Sequence, residues 1–228
     1  MNVRAAFAEL VGVFGFVFIG VSSVVVAAMP NSTLGLFGVA VAHGLGIAVM
    51  ASAVAPVSGG HLNPAVSIGA WMANKLSLVD TVGYLVGQVA GAVLAVATVG
   101  YAYGNAALSD VMFGTPEIAA SLTTTQAVVV EGVLAMFLVL SVFGTCIDSK
   151  APKTGALFVG LSVLMGVLAG GTLTGASMNP ARYLGPAIYG GALGDWVVYV
   201  SGPILGAAVA VAIYLYIRRP DAGEQPAD

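Results

Sequence analysis

Apolar residues run along this chain in long stretches, with polar residues gathered between them. Six stretches reach the length of about 20 residues that a helix needs to cross a hydrocarbon core. They lie at 5–28, 35–56, 79–103, 124–147, 154–173 and 195–217, and each predicts a membrane helix. The first follows Arg4 much as the core of a signal peptide would. It is too long for one and carries Glu9, so it reads as a permanent span. The connections are short and polar. The longest, 104–123, contains Asp110 and Glu117 but no Lys or Arg. Asn31-Ser32-Thr33 matches a glycosylation acceptor, but it sits so close to the membrane that it reads as a chance match.

Two shorter apolar runs remain, and each follows the same tripeptide. Asn63-Pro64-Ala65 comes after Ser58-Gly59-Gly60-His61-Leu62, and Asn179-Pro180-Ala181 after Thr174-Gly175-Ala176-Ser177-Met178. Asn is a strong N-cap, and Pro suits the first helical position because its missing N–H would have no partner there. Each copy therefore predicts a loop followed by a helix start. Lys75 limits the first helix and Gly190-Gly191 the second. A helix of about 10 residues spans about 15 Å, half of a bilayer core. The pattern predicts two re-entrant half-helices that meet at mid-membrane.

Charge and repetition orient the spans. Hydrophobic residues make up 59% of the chain and charged residues 7%, against about 25% charged in a soluble domain. Such a chain cannot cover a soluble surface. With the N-terminus inside, Arg4, Lys75, Lys150, Lys153, Arg218 and Arg219 all fall on the cytoplasmic side, as positive-inside topology requires. The seventh basic residue, Arg182, follows the second motif at membrane depth, where an ionisable group is by default a functional one. Tyr84, Gly87, Gly91, Ala92 and Tyr101 recur as Tyr199, Gly202, Gly206, Ala207 and Tyr216, each 115 residues on. Each repeat holds three spans and a half-helix. Three is odd, so the second repeat, about 124–217, enters the membrane inverted relative to the first, about 4–103. Inverted repeats place their site at the midplane between them. The four-residue spacing of Gly83, Gly87 and Gly91, and of Gly202 and Gly206, predicts a close seam between the halves. The expectation is one channel domain over 1–217 and a disordered cytoplasmic tail over 218–228, with nothing appended.

The irregular runs before the two motifs must line water or lie buried in protein, because lipid satisfies no backbone group. The backbone of Gly59, Gly60, His61, Gly175, Ser177 and Met178 then offers a row of polar groups to a lumen. Asn63 and Asn179 would cap their helices through oxygen and donate into the lumen through nitrogen. Each half-helix start carries about half a positive charge, which opposes cations at the centre. Glu9 and Glu131 sit inside spans and read as buried structural acids. The single cysteine, Cys146, permits neither an intramolecular disulfide nor a cysteine-based metal site.

His61-Leu62-Asn63-Pro64-Ala65-Val66 and Met178-Asn179-Pro180-Ala181-Arg182 resemble the paired motifs of the aquaporins, the major intrinsic protein family, and the likeness covers nearly the whole chain. The resemblance implies an all-α membrane fold of six transmembrane helices and two re-entrant half-helices, assembled as a homotetramer with one pore per subunit. It implies a selectivity filter at His43, Val167, Ala176 and Arg182, and a bracing role for Glu9 and Glu131 on the re-entrant loops. Many water channels carry a larger aromatic at position 43 and His at 167. The smaller set here looks more like the plant tonoplast-type members and implies a somewhat wider opening. Glycerol facilitators carry an acid just after the motif arginine and a base four residues later. Here those positions are Tyr183 and Ala187, which argues against dedicated glycerol transport.

The function expected is a passive water channel in the cell (plasma or inner) membrane, with both termini cytoplasmic. The alternative is a facilitator for ammonia, hydrogen peroxide, urea or glycerol. The partners expected are water, small uncharged solutes, the lipid bilayer and copies of the chain itself. No cofactor, metal or nucleic acid is expected. An intramembrane enzyme would need a nucleophile–base pair or metal ligands, and the two histidines, His43 and His61, have no Cys, Asp or Glu near them in sequence. A junction protein would predict long adhesive loops. A coupled transporter would need an ionisable pair in its pathway, and Glu9 and Glu131 are the only candidates.

Overall fold

The computed structural model describes residues 1–148 and 150–218. Arg219 and nearly all of the expected tail lie outside the described residues. Among those described, the chain is helical, and six helices are long and apolar enough to cross a membrane. The long helices are α1 (Val3–Ala28), α2 (Gly35–Ser58), α4 (Leu78–Tyr103), α6 (Thr124–Val142) and α7 (Gly155–Thr174), with α9 (Gly202–Ile217) last. A π turn at Phe143–Ile147 extends α6, and another at Val197–Ser201 leads into α9. Between them lie the two half-helices, α3 (Pro64–Met72) and α8 (Pro180–Gly190). The 104–123 connection is not plain loop. It holds a short helix, α5 (Asn105–Ser109), and a 3₁₀ turn at Met112–Gly114. Gly104 and Gly114 both take positive φ, which turns the chain back over the end of the bundle.

Helix ends outside the core are closed by their own side chains. Ser77 accepts from the Asp80 N–H at the start of α4, and Thr123 with Gln126 forms a capping box at the start of α6. The outward faces stay apolar and exposed, for example at Val82, Val86 and Leu94 on α4. Such apolar outward faces suit contact with lipid.

The glycine seams sit elsewhere than the spacing suggested. A Cβ on Gly87 would lie 2.4 Å from the Ala6 carbonyl oxygen, and one on Gly91 2.3 Å from that of Leu10. Gly206 would meet the Gly132 carbonyl at 2.0 Å. These glycines join α4 to α1 and α9 to α6, each within its own half. The halves meet instead at α2 and α7, where Gly44 and Gly160 each face the other's carbonyl oxygen, at 2.7 and 2.4 Å from the added Cβ. Spacing fixes which helix face is small but not which helix approaches it. Each half-helix then docks on a span of the opposite half, α8 against α4 and α3 against α9. This exchange holds both short helices at the centre.

At the end that carries Arg4, Lys75 and Lys153, the start of the α6–α7 loop is tied to the end of α9. Asp148 accepts from the Lys150 backbone N–H at 2.8 Å, the Tyr214 hydroxyl at 2.8 Å and the Arg218 Nη2 at 2.5 Å. These donors hold its carboxyl below the usual carboxylate range. A lowered folded-state pKa stabilises fully above the unfolded value, about 4, and that contribution fades as pH falls through the lower folded value. The difference in unfolding temperature between wild type and Asp148→Asn, measured in detergent, should be constant above about pH 4 and shrink below it. A difference that grows as pH falls would show that the carboxylate is not held by these bonds.

Candidate pore

The centre is built from the two motif loops. Gly59 ends α2 at φ 87° and Gly175 ends α7 at φ 71°. Four residues later each loop reaches the cap of a half-helix, Asn63 and Asn179. Asn63 Oδ1 accepts from the Ala65 N–H at 2.8 Å, and Asn179 Oδ1 accepts from the Ala181 N–H at 2.9 Å and the Arg182 N–H at 3.3 Å. The asparagine nitrogens do not simply face a lumen. Asn63 Nδ2 donates to the Met178 carbonyl at 2.9 Å, and Asn179 Nδ2 donates to the Leu62 carbonyl at 2.9 Å. Each amide spends one hydrogen on stapling the opposite loop and keeps one. Leu62 and Met178 adopt φ 50° and 53°, a left-handed conformation that costs non-glycine residues about 1–3 kcal/mol and persists only when held in place.

Two buried acids hold it. Glu9 accepts from the Ser58 hydroxyl at 2.7 Å, the His61 N–H at 2.9 Å, the Leu62 N–H at 2.6 Å and Gln88 Nε2 at 2.7 Å. Glu131 accepts from the Thr174 hydroxyl at 2.7 Å, the Ser177 N–H at 2.9 Å and the Met178 N–H at 2.7 Å. Both glutamates are fully buried. Tyr84 and Tyr199, visible in the sequence only as a repeat pair, donate to the Ser58 and Thr174 carbonyls at 2.7 and 2.8 Å. The hydroxyls of Ser58 and Thr174 were missed by sequence reasoning. Their shared offset of 116 residues, equal to that of the motif asparagines, was the available signal.

A narrow cavity runs past this staple. His43, His61, Asn63, Ser177 and Asn179 form its polar wall, with Ala176, Ile47 and Val163 among the apolar residues. It offers about 20 Å³ to the centre of a water-sized sphere, where one ordered water needs roughly 10–15 Å³. Molecules the size of water fit singly. Val159 also lines a wider vestibule of about 490 Å³, whose wall includes Gly59, Gly60, Cys146 and Lys153, at the basic end.

The four expected filter residues divide. His43 and Ala176 line the narrow cavity; Val167 and Arg182 are buried but do not form part of its wall. His43 Nδ1 lies 2.9 Å from the Val39 carbonyl, and Gly20 leaves room for its ring. Arg182 Nη1 donates to the Gly114 carbonyl at 2.6 Å. The guanidinium is thus held from the 104–123 connection, 68 residues away in sequence. Arg182 forms no ion pair among the described residues, so its charge adds to the positive ends of α3 and α8. No three His, Cys, Asp or Glu side chains among the described residues group to hold a metal ion.

The profile of the family described as "Major intrinsic protein" matches residues 1–214. The chain belongs to the major intrinsic protein family. Aquaporin-5 of Sus scrofa is 38% identical over 227 residues, covering 96% of this chain and 82% of that protein. Aquaporin TIP4-4 of Zea mays is 37% identical over 231 residues, covering 98% and 90%. The X-ray structure of the aquaglyceroporin from Plasmodium falciparum superposes with a TM-score of 0.80 at 24% identity, over 94% of this chain and 96% of that one, which shows the fold. The chain is therefore an integral membrane protein of the aquaporin fold, in a family of channels rather than enzymes. The half-helices and the inverted three-span halves are those of that fold.

Proposed function

We propose that this protein is a passive water channel whose filter also admits small neutral solutes. One observation carries the reading. Two half-helix N-termini are stapled tip to tip by Asn63 and Asn179 beside a cavity that takes water singly. The free amide hydrogens of the two asparagines would replace a passing water's hydrogen bonds. The dipoles and Arg182 would oppose cations and protons, the barrier generally attributed to aquaporin-type pores. The name Aquaporin on the relatives supports water as the solute. In this reading the first three spans and the last three form one channel domain. Its basic end is cytoplasmic, it lies in the cell (plasma or inner) membrane, and it works as a homotetramer.

The filter set implied by the family resemblance, His43, Val167, Ala176 and Arg182, supports passage of ammonia, hydrogen peroxide or urea beside water through its small Val167 and Ala176, of which Ala176 lines the narrow cavity and Val167 is buried outside its wall. Stopped-flow shrinkage of proteoliposomes in sucrose should be fast and have a low activation energy, and urea or ammonium gradients should also relax. Shrinkage no faster than in protein-free vesicles would overturn the reading. Val167→His would add a ring and a donor behind the cavity wall, where Val167 is buried, and push toward the lumen. Urea and ammonia permeability should then fall several-fold more than water permeability. A wild type that passes neither solute, or a variant that loses only water flux, would show that the filter is not wide.

A further inference from the structure

The narrow cavity is lined by two histidines, and the hydrogen bonds behind them differ in direction. His43 Nδ1 faces a backbone carbonyl, that of Val39, at 2.9 Å. A carbonyl only accepts, so Nδ1 must carry the proton. A second proton would place a cation beside Arg182 and the positive ends of two helices, where burial of charge is expensive. His43 is therefore neutral, and its Nε2 is a bare acceptor.

His61 is held the other way, through a chain that starts at Glu9. Glu9 accepts from the Ser58 hydroxyl and from the His61 and Leu62 N–H groups, so its carboxylate offers only acceptor positions to Gln88. Gln88 must turn its amide nitrogen toward it. That nitrogen lies 2.7 Å from Glu9 Oε2 and 3.0 Å from Ser67 Oγ. This orientation leaves Gln88 Oε1 buried without a partner. The opposite one would set oxygen against carboxylate. Ser67 Oγ thus receives a hydrogen bond from Gln88, and its own hydrogen is free for its remaining partner, His61 Nδ1, at 3.2 Å. An Nδ1 that accepts is unprotonated. The proton of a neutral ring then sits on Nε2.

We propose that Ser67 and Gln88 are positioning residues that lock His61 in the Nε2–H tautomer, so that the two pore histidines are held in opposite tautomers. His43 turns its bare Nε2 toward Gly20 of α1, whereas His61, in the wall of the narrow cavity, has a donor to offer the lumen. The second half has no counterpart of the chain. At the repeat offsets of 116 and 115, His61, Ser67 and Gln88 correspond to Ser177, Tyr183 and Pro203. The lock is therefore a feature of one half alone. A permeant beside the His61 ring must then accept a hydrogen bond, which water and ammonia can do.

The proposal rests on the pore reading for its functional sense, but its test does not depend on transport. The chain has only two histidines. In the full-length protein labelled with ¹⁵N-histidine in bilayers, solid-state NMR distinguishes bare from protonated ring nitrogens. His43→Phe assigns the remaining signals to His61. The wild type should show one ring with a bare Nδ1, His61, and one with a bare Nε2, His43. Ser67→Ala should abolish or split the bare Nδ1 signal of His61 and leave His43 unchanged. Ser67→Thr, which keeps the hydroxyl, should restore it. Two rings in the same tautomer in the wild type, or a His61 spectrum unchanged by Ser67→Ala, would overturn the proposal. Absence of water flux would strike the channel reading instead and leave these spectra as they are.

Discussion

Arg182→Val is expected to fold, to conduct water, and to lose discrimination against larger neutral solutes and against cations. Its guanidinium is held by a single carbonyl, that of Gly114, and forms no ion pair among the described residues. Removing it leaves that carbonyl without this donor, a cost of about 1–3 kcal/mol if it stays dry and less if lumen water replaces the donor. The electrostatic change is larger in effect. A unit charge about 8 Å from a permeating cation, at an effective dielectric of about 20, contributes about 2 kcal/mol to the barrier. Removing it would speed cation passage about thirtyfold. Arginine in the first turn of α8 is also disfavoured by the helix dipole, by about 0.3–1 kcal/mol. The hydrogen bond to Gly114 offsets that penalty, so the stability balance is small beside the electrostatic effect on permeating cations. Proteoliposomes carrying a pH-sensitive dye, with urea and glycerol shrinkage recorded in parallel, read both changes. An unchanged proton leak with unchanged solute selectivity would make Arg182 a brace of the 104–123 connection and place selectivity elsewhere.

Glu131→Leu should prevent assembly of the folded channel. The substitution would leave the Thr174 hydroxyl and the Ser177 and Met178 N–H groups facing an apolar side chain in a fully buried site. Each unsatisfied buried group costs about 1–3 kcal/mol, so the three together reach about 3–9 kcal/mol. That range overlaps the whole stability of an ordinary domain, about 5–15 kcal/mol. The left-handed backbone at Met178, whose carbonyl receives Asn63, would be released first. Glu131→Gln keeps the shape and one acceptor oxygen for Thr174 and Ser177, but sets an amide nitrogen against the Met178 N–H. Its yield should fall between the two. Size-exclusion chromatography of the protein in detergent, with thermal unfolding of whatever elutes folded, gives the order. A Leu variant as abundant and as stable as wild type would show that the loop is held without its carboxylate.

Much of the architecture was legible in the sequence because its signals are local. Span length follows from bilayer thickness, and the described helices begin and end within a few residues of the apolar stretches. The half-helices were legible because Asn-Pro carries both a cap and a helix start. The inversion followed from counting three spans per repeat. The glycine seam was misassigned because periodicity names a face and not its neighbour. The 104–123 connection was read as loop because two short helical turns, set by positive-φ glycines, leave no apolar period behind them.

What the sequence by itself determined is what depends on neighbours a few residues apart: the spans, the capped half-helices, the basic end and the lone arginine. What only the tertiary structure decided is what depends on partners brought together from far along the chain. Arg182 reaches Gly114, Asn63 and Asn179 exchange donors with Met178 and Leu62, and Gln88 links Glu9 to Ser67. A hydrogen bond needs its two atoms within about 3 Å and correctly aimed. Residue type supplies the donor and the acceptor; only the packed helices set the distance and direction, and so decide which of many possible partners each polar group takes.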